Sequence, residues 1–134
     1  MLERANLTVD DVDLVIPHQA NARIIDSATR RLGIEQSRVF VNIANLGNTA
    51  AASIPMAICD ALEAGRVSPG DTIVLTAFGG GVTWGSIVLT WGERVEPAGV
   101  HVGELPPTDM TSLDLLQDNL RFYAPLHTDK PSVI

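Results

Sequence analysis

The sequence has little of what marks secreted, disulfide-stabilised or membrane-spanning proteins. Cys59 is the single cysteine among 134 residues, so no disulfide can form within the chain, and this suits a reducing compartment. No apolar run approaches the roughly 20 residues of a membrane-spanning helix. The opening Met1-Leu2-Glu3-Arg4 is unlike a signal peptide. These absences predict a soluble, cytoplasmic protein.

Positive charge is also scarce. Nine lysines and arginines stand against 16 aspartates and glutamates, which gives a net charge of −7. A nucleic-acid-binding surface needs basic side chains that neutralise phosphates, and a chain with this balance is poorly suited to that task. What the chain does have is a hydrophobic content of 46%. That is enough for a packed core in one ordinary domain or in part of one.

Short apolar runs, each followed by a polar or glycine-rich turn, organise the first 92 residues. They predict strands at 12–16, 38–43 and 72–77, separated by helices at 20–32 and 48–64. This alternation is typical of parallel β-α-β units. A further strand at 84–91 follows after only a few residues, so it should run antiparallel to the one before it. The predicted fold class is α/β, with a mixed sheet of three parallel strands and one antiparallel strand.

The second predicted helix contains two residues with specific expectations. Pro55 should bend the helix, because proline removes a backbone donor and clashes with the preceding turn. Cys59 lies late in the helix, where the helix dipole disfavours a thiolate. Its neighbours Ile58, Ala61 and Leu62 are apolar. We therefore expect a buried, inert thiol at Cys59 and no nucleophile.

Three features that follow the predicted strands are candidates for a functional site: His18, Asn48 and Gly79-Gly80-Gly81. The carboxyl ends of parallel strands share the edge at which ligands bind, so these features should converge. A neutral histidine and an asparagine both donate hydrogen bonds, and on one carbonyl oxygen they would stabilise an enolate or a tetrahedral oxyanion. Each feature also has a structural interpretation. A lone histidine is more often structural than catalytic, and three glycines are also typical of a tight turn that needs positive φ.

The polar face of the first predicted helix is basic. Arg23, Arg30 and Arg31 lie there and would suit an acidic partner. The alternative is pairing along the helix, because Asp26 is spaced three residues from Arg23 and four from Arg30.

The last 42 residues differ in character from the first 92. Residues 93–109 are rich in proline, glutamate and glycine without periodicity, which predicts a linker. Thr111-Ser112-Leu113-Asp114 is similar to a capping box, so a short helix is expected near 112–121. The predicted organisation is one folded region at 1–92 and a linker and tail at 93–134.

Three longer motifs point to one family. They are residues 15–21 (VIPHQAN), 46–55 (LGNTAAASIP) and 77–85 (AFGGGVTWG). In this order and at this spacing they resemble the C-terminal part of β-ketoacyl-acyl-carrier-protein synthase III, a thiolase-fold condensing enzyme. The resemblance covers residues 2–92 and implies an incomplete, thiolase-like C-terminal half-domain.

The resemblance also implies roles for individual residues. His18 and Asn48 match the histidine and asparagine of a Cys-His-Asn triad, which would hold the malonyl thioester carbonyl during decarboxylation. Gly80 matches a glycine whose N–H completes the oxyanion hole, and Asn21 matches a position that orients a water or the substrate. The basic positions that dock the acyl carrier protein are matched by Arg23, Arg30 and Arg31.

The implied activity is that of an acyltransferase, which condenses an acyl-CoA primer with malonyl-carrier protein in fatty acid or polyketide biosynthesis. The resemblance further implies that the complete enzyme is a homodimer and that its substrates are CoA and carrier-protein thioesters. It implies no metal and no resident cofactor. The family's nucleophilic cysteine belongs to an N-terminal half that is not in this sequence. We therefore expect another chain or an upstream segment to supply that half, and we expect no condensation by this chain alone. The alternative is a truncated, non-catalytic fragment or subunit that binds a carrier protein or a partner chain.

Because the strands of that part are missing, this sequence should have an open sheet edge and exposed apolar helix faces.

Overall fold

The computed structural model of the chain describes residues 1–96, 103 and 109–123, and the chain forms two compact units, residues 1–100 and 101–134. In its described part the first unit contains β1 Leu14–Pro17, α1 Ala22–Arg31, α2 Ile43–Leu46, α3 Ser53–Glu63, β2 Thr72–Gly79 and β3 Thr83–Thr90. Single turns of 3-10 helix cover Leu2–Ala5, Gln36–Arg38 and Ala50–Ala52.

The strands form one mixed sheet in the order β1-β2-β3, with β2 in the centre. Strand β1 runs parallel to β2, and Leu14 lies opposite Ile73. Strands β2 and β3 form an antiparallel hairpin that closes at the Gly79–Thr83 pair. The predicted parallel pairing of the first and third apolar runs is therefore confirmed, and so is the antiparallel hairpin.

The predicted strand at 38–43 is wrong. Only Val39 pairs with the sheet, through an isolated parallel bridge to Val15. The physical reason is the buried side chain of Gln19, which occupies the backbone groups that a strand would use. Its Nε2 donates to the Phe40 carbonyl at 3.3 Å. Its Oε1 accepts from the Asn42 N–H at 3.0 Å and from the Ile43 N–H at 3.2 Å. The sheet therefore contains one parallel pair of strands instead of three parallel strands.

The predicted helix at 48–64 is also shorter than expected. The α-helix begins at Ser53, after the 3-10 turn, and Pro55 lies in its first turn. Backbone N–H groups in a first turn have no partner within the helix, so proline removes no hydrogen bond there. Pro55 marks the beginning of the helix, and the expected mid-helix bend is wrong.

The core lies on both faces of the sheet. On one face, α3 covers the strands through a cluster of fully buried residues: Leu14, Ile16, Ala57, Ala61, Val67 and Ile73. On the other face Val12, Val15 and Val74 pack against Leu2, Ile34 and Val88. Because successive side chains of a strand point to opposite faces, β1 is buried along its whole length.

Strands β1 and β3 both flank β2 in this sheet, but β1 is buried whereas much of β3 is exposed. Trp84 is 79% exposed and Ile87 is 60% exposed. The open edge was expected, but these exposed apolar side chains lie on a strand, whereas the expectation was of exposed helix faces.

The second unit contains α4, Ser112–Tyr123. At its start, the Thr111 hydroxyl donates to the Asp114 carboxylate at 2.6 Å and the Thr111 N–H donates to it at 2.8 Å. These two donors lower the pKa of Asp114 below its ordinary value. Most of the predicted linker and all residues beyond 123 lie outside the described residues. No helix in the described ranges is long and apolar enough to cross a membrane.

Candidate functional site

A cavity of about 410 Å³ lies where β1 and β2 end and α3 begins. Its lining consists of small, apolar and neutral polar residues: His18, Ala50, Ala51, Ser53, Ile54, Ala77, Phe78, Gly79, Thr83, Trp84 and Gly85. No charged side chain stands in this lining, as far as the described residues go. A neutral wall of this kind suits an uncharged ligand group that is bound by hydrogen bonds.

His18 is held at the end of β1 by contacts on three sides. Its backbone N–H donates to the Thr76 carbonyl at 2.7 Å, which continues the parallel pairing by one residue. The ring atom Nδ1 lies 2.5 Å from the Ser53 hydroxyl oxygen. The Phe78 ring stands edge-on to the imidazole, with 6.3 Å between ring centroids. The imidazole therefore has a fixed orientation in the cavity wall.

Asn48 lies next to the cavity but does not line it. Its side chain is exposed, and Oδ1 accepts the Ala50 N–H at 3.0 Å. That hydrogen bond helps to hold Ala50, which does line the cavity, at an unusual φ of 51°. Within the described residues, Nδ2 of Asn48 makes no hydrogen bond, so it is available as a donor.

The glycine segment closes the β2–β3 hairpin. Gly79 ends β2 and lines the cavity, whereas Gly80 lies one residue further into the turn. The Gly80 carbonyl accepts from the Thr83 hydroxyl at 2.7 Å. Gly81 and Val82 both have positive φ, 78° and 56°. The tight turn inferred from the three glycines is present, and the role of the Gly80 N–H stays a prediction.

The α1 residues singled out in the sequence lie away from the cavity lining. Asn21 is the N-cap of α1, and its side chain accepts the Arg23 N–H at 2.9 Å. Asp26 forms an ion pair with Arg30 at 2.9 Å. In the described part of the chain, no ion pair joins Asp26 to Arg23, and Arg31 has none. The exposed face of α1 therefore keeps a net positive charge.

Cys59 is exposed, so the prediction of a buried thiol is wrong. Helix α3 buries Ser53, Ala57 and Ala61, which are spaced four residues apart on one face. Cys59 stands two residues from each alanine, about 200° around the helix, and so on the outer face. The apolar residues next to Cys59 in the sequence did not indicate on which face of the helix the cysteine lies.

Sequence reasoning missed several residues of the cavity, above all Ser53, Phe78 and Trp84. Ser53 is 2% exposed and contacts His18. A signal was present, because Ser53 is the one hydroxyl in an otherwise apolar stretch of small residues that follows Thr49 and leads into a helix.

The mixed sheet covered by α3 is consistent with a thiolase-like C-terminal fragment, and comparisons with known proteins show this class. Residues 2–91 match the C-terminal family of 3-oxoacyl-[acyl-carrier-protein] synthase III. The chain belongs to this family.

Individual relatives give the extent of the match. Over 116 residues the chain is 48% identical to β-ketoacyl-[acyl-carrier-protein] synthase III 2 of Vibrio cholerae, and the match covers 87% of this chain and 32% of that protein. The synthase III structure from Thermus thermophilus has a TM-score of 0.67 at 52% identity, and covers 69% of this chain and 29% of its own.

The synthase III structure from Pseudomonas aeruginosa PAO1 has a TM-score of 0.69 at 43% identity, with 72% of this chain and 30% of that one covered. The chain thus spans about a third of the length of the relatives it matches.

Proposed function

We propose that this chain supplies the histidine and the asparagine of a decarboxylative condensing site of the synthase III type. The observation that carries the proposal is the position of His18, which lies in the cavity wall at the end of β1 in a member of this family. A cavity without charged lining side chains favours donors that stabilise a negative charge only when it develops on the substrate.

In this proposal the thioester carbonyl of a malonyl group accepts hydrogen bonds from the His18 ring and the Asn48 amide. When carbon dioxide leaves, the electron pair of the broken C–C bond moves towards that carbonyl oxygen, and both donors stabilise the resulting enolate. The available Nδ2 of Asn48 and its place two residues from Ala50 in the cavity wall support this role.

The acyl group to be extended would be carried by the cysteine of an N-terminal half, from another chain or an upstream segment. The Gly80 N–H would then complete the oxyanion hole, which is supported by the position of its neighbour Gly79 in the cavity wall. Asn21, on the same β1–α1 connection as His18, would orient a water or the substrate. The condensing carbanion attacks the acyl thioester carbonyl, and the C–S bond to the cysteine breaks.

The substrates would be an acyl-CoA primer and malonyl-acyl carrier protein in the cytoplasm, with a homodimer as the complete enzyme. The carrier protein would dock on the basic face of α1, formed by Arg23, Arg30 and Arg31. Their exposure and the single ion pair of Arg30 support this.

The same basic face supports a second candidate, a non-catalytic module that binds a carrier protein. In that case the face of α1 would bind its partner, while His18 and Asn48 would have only structural roles.

The test is to co-express the chain with the N-terminal part of a related synthase III, and to add acetyl-CoA and malonyl-carrier protein. His18→Ala and Asn48→Ala should each lower the formation of acetoacetyl-carrier protein about 10²–10³-fold, because each removes one donor to the oxyanion. Product is measured by mass spectrometry. The chain alone should give none, since Cys59 lies on the outer face of α3.

Asn45→Ala is the matched control for Asn48→Ala, because Asn45 is also an exposed asparagine and lies three residues earlier, in α2. It should keep full turnover. Undiminished turnover in the His18 variant would overturn the catalytic proposal. Carrier-protein binding in the complete absence of turnover would favour the non-catalytic module.

A further inference from the structure

The hydroxyl of Ser53 lies buried between the two residues that follow β1. Its oxygen is 2.5 Å from Nδ1 of His18. The Gln19 backbone N–H donates to the same oxygen at 3.3 Å. Ser53 is 2% exposed and is the first residue of α3. No water reaches such a hydroxyl easily, so its hydrogen must be donated to a protein atom.

The donors and acceptors around Ser53 can be assigned one by one. A serine hydroxyl has one hydrogen to donate and lone pairs that accept. The Gln19 N–H can only donate, so the oxygen accepts there. Within the described residues, the one acceptor in reach of the hydroxyl hydrogen is Nδ1 of His18. The reverse arrangement, with Nδ1 as donor, would leave the buried hydroxyl hydrogen without an acceptor, which is costly.

We propose that Ser53 is a positioning residue that donates to Nδ1 and so holds neutral His18 as the Nε2–H tautomer. Nε2 is then a hydrogen-bond donor, and it is the ring nitrogen without a partner in the described part of the chain. The catalytic consequence rests on the function proposed above. An Nε2–H group donates to the thioester oxygen, and it cannot remove a proton from the substrate.

The tautomer can be measured without any assay of activity. Two-bond ¹⁵N–¹H correlation spectra of the ¹⁵N-labelled chain at mildly alkaline pH distinguish the protonated from the unprotonated ring nitrogen. Comparison with His18→Gln identifies the His18 signals. We expect Nε2–H to exceed Nδ1–H roughly tenfold or more. A predominant Nδ1–H form, or an even mixture in the folded wild-type chain, would overturn the proposal.

Variants at Ser53 test whether its hydroxyl is what sets the tautomer of His18. Ser53→Ala should bring the two tautomers towards a mixture, whereas Ser53→Thr, which keeps the hydroxyl, should retain the Nε2–H form. Ser86→Ala is the control, because the Ser86 hydroxyl is half-buried and hydrogen-bonded, to Thr76 Oγ1 at 2.8 Å, but does not contact His18. An unchanged tautomer ratio in folded Ser53→Ala would overturn the role of Ser53. If Ser53→Ala does not fold, the wild-type and Ser53→Thr spectra still decide the outcome.

The tautomer measurement and the condensation assay can fail independently, so a failure of this inference can be distinguished from a failure of the proposed function. An Nε2–H form that depends on Ser53, together with no loss of condensation in His18→Ala, would uphold this inference and overturn the catalytic role of His18. An Nδ1–H form together with full dependence of turnover on His18 would overturn this inference and uphold the catalytic role of His18.

Discussion

The two walls of the cavity are built in different ways. The wall formed by the end of β1 and the start of α3 is held by hydrogen bonds, with Ser53 2% exposed and Gln19, the residue after His18, 1% exposed. The hairpin wall is open, with Trp84 79% exposed and Val82, in the adjoining turn, 90% exposed. The comparison teaches that contacts within this chain are enough to fix the orientation of His18. They do little to fix the side chains of the hairpin.

The strongest test of this difference is Gln19→Leu. Leucine has a similar volume but would leave four backbone groups without the partners that Gln19 provides, namely the carbonyls of Pro17 and Phe40 and the N–H groups of Asn42 and Ile43. Unpaired buried polar groups are costly, so we expect the free energy of unfolding to fall by about 3 kcal/mol or more. Urea denaturation followed by circular dichroism measures it.

The matched control is Gln36→Leu. Gln36 is exposed, although its Nε2 donates to the Thr29 hydroxyl at 2.9 Å and to the Asp26 carboxylate at 3.3 Å. Because this residue is open to water, loss of the two bonds should cost only about 1 kcal/mol. Equal losses in the two variants would mean that the connection after β1 is not held by Gln19.

A smaller effect, of opposite sign, is expected at the hairpin turn. Val82 has a φ of 56°, a left-handed conformation that disfavours β-branched side chains by about 1–2 kcal/mol. Asparagine adopts this conformation readily and is common in such turns. Val82→Asn should therefore raise the free energy of unfolding by about 1 kcal/mol, as measured by urea denaturation.

Val41→Asn serves as the comparison, because Val41 is also exposed but is not among the residues with positive φ. It should bring no gain in stability. A gain of the same size at both positions would point to a general benefit of polar surface, and the argument from strain in the turn would fail.

Much of the fold was predictable from local patterns. The apolar runs of β1 and β2 and the glycines between β2 and β3 each signal their structure within a few residues, and these elements form as expected. The position of His18 follows directly, because it is the residue after a buried strand.

The failures have non-local causes. Residues 38–43 have the composition of a strand, but their backbone groups bind a glutamine side chain some 20 residues earlier in the sequence. The periodicity of apolar residues in the sequence gives no indication of such a contact. Ser53 was missed for the same reason, since its partner His18 lies 35 residues away. Cys59 was expected to be buried because its neighbours in sequence are apolar, but the buried face of α3 contains Ser53, Ala57 and Ala61, and Cys59 lies on the other side.

The smallest expected effect is that of removing Trp84, and Trp91, the other tryptophan of the chain, is its comparison. Trp84 belongs to the open hairpin wall, where its ring is mostly in contact with solvent. Trp91 is partly buried, packs against the core cluster, and donates from Nε1 to the Arg94 carbonyl at 2.7 Å. Trp84→Ala should change the free energy of unfolding by no more than about 0.5 kcal/mol. Trp91→Ala should lower it by about 2–3 kcal/mol, because it removes buried aromatic surface and leaves a cavity.

Urea denaturation of both single variants, each followed through the remaining tryptophan and through circular dichroism, gives the comparison directly. The two probes should agree for each variant if the first unit unfolds in one step. The emission of Trp84 in the Trp91→Ala variant should be that of a solvent-exposed indole even before denaturant is added. A loss of 2 kcal/mol or more on Trp84→Ala would show that the hairpin wall is packed by this chain itself. The contrast between the two walls would then be wrong, since both would owe their geometry to contacts within the same 134 residues.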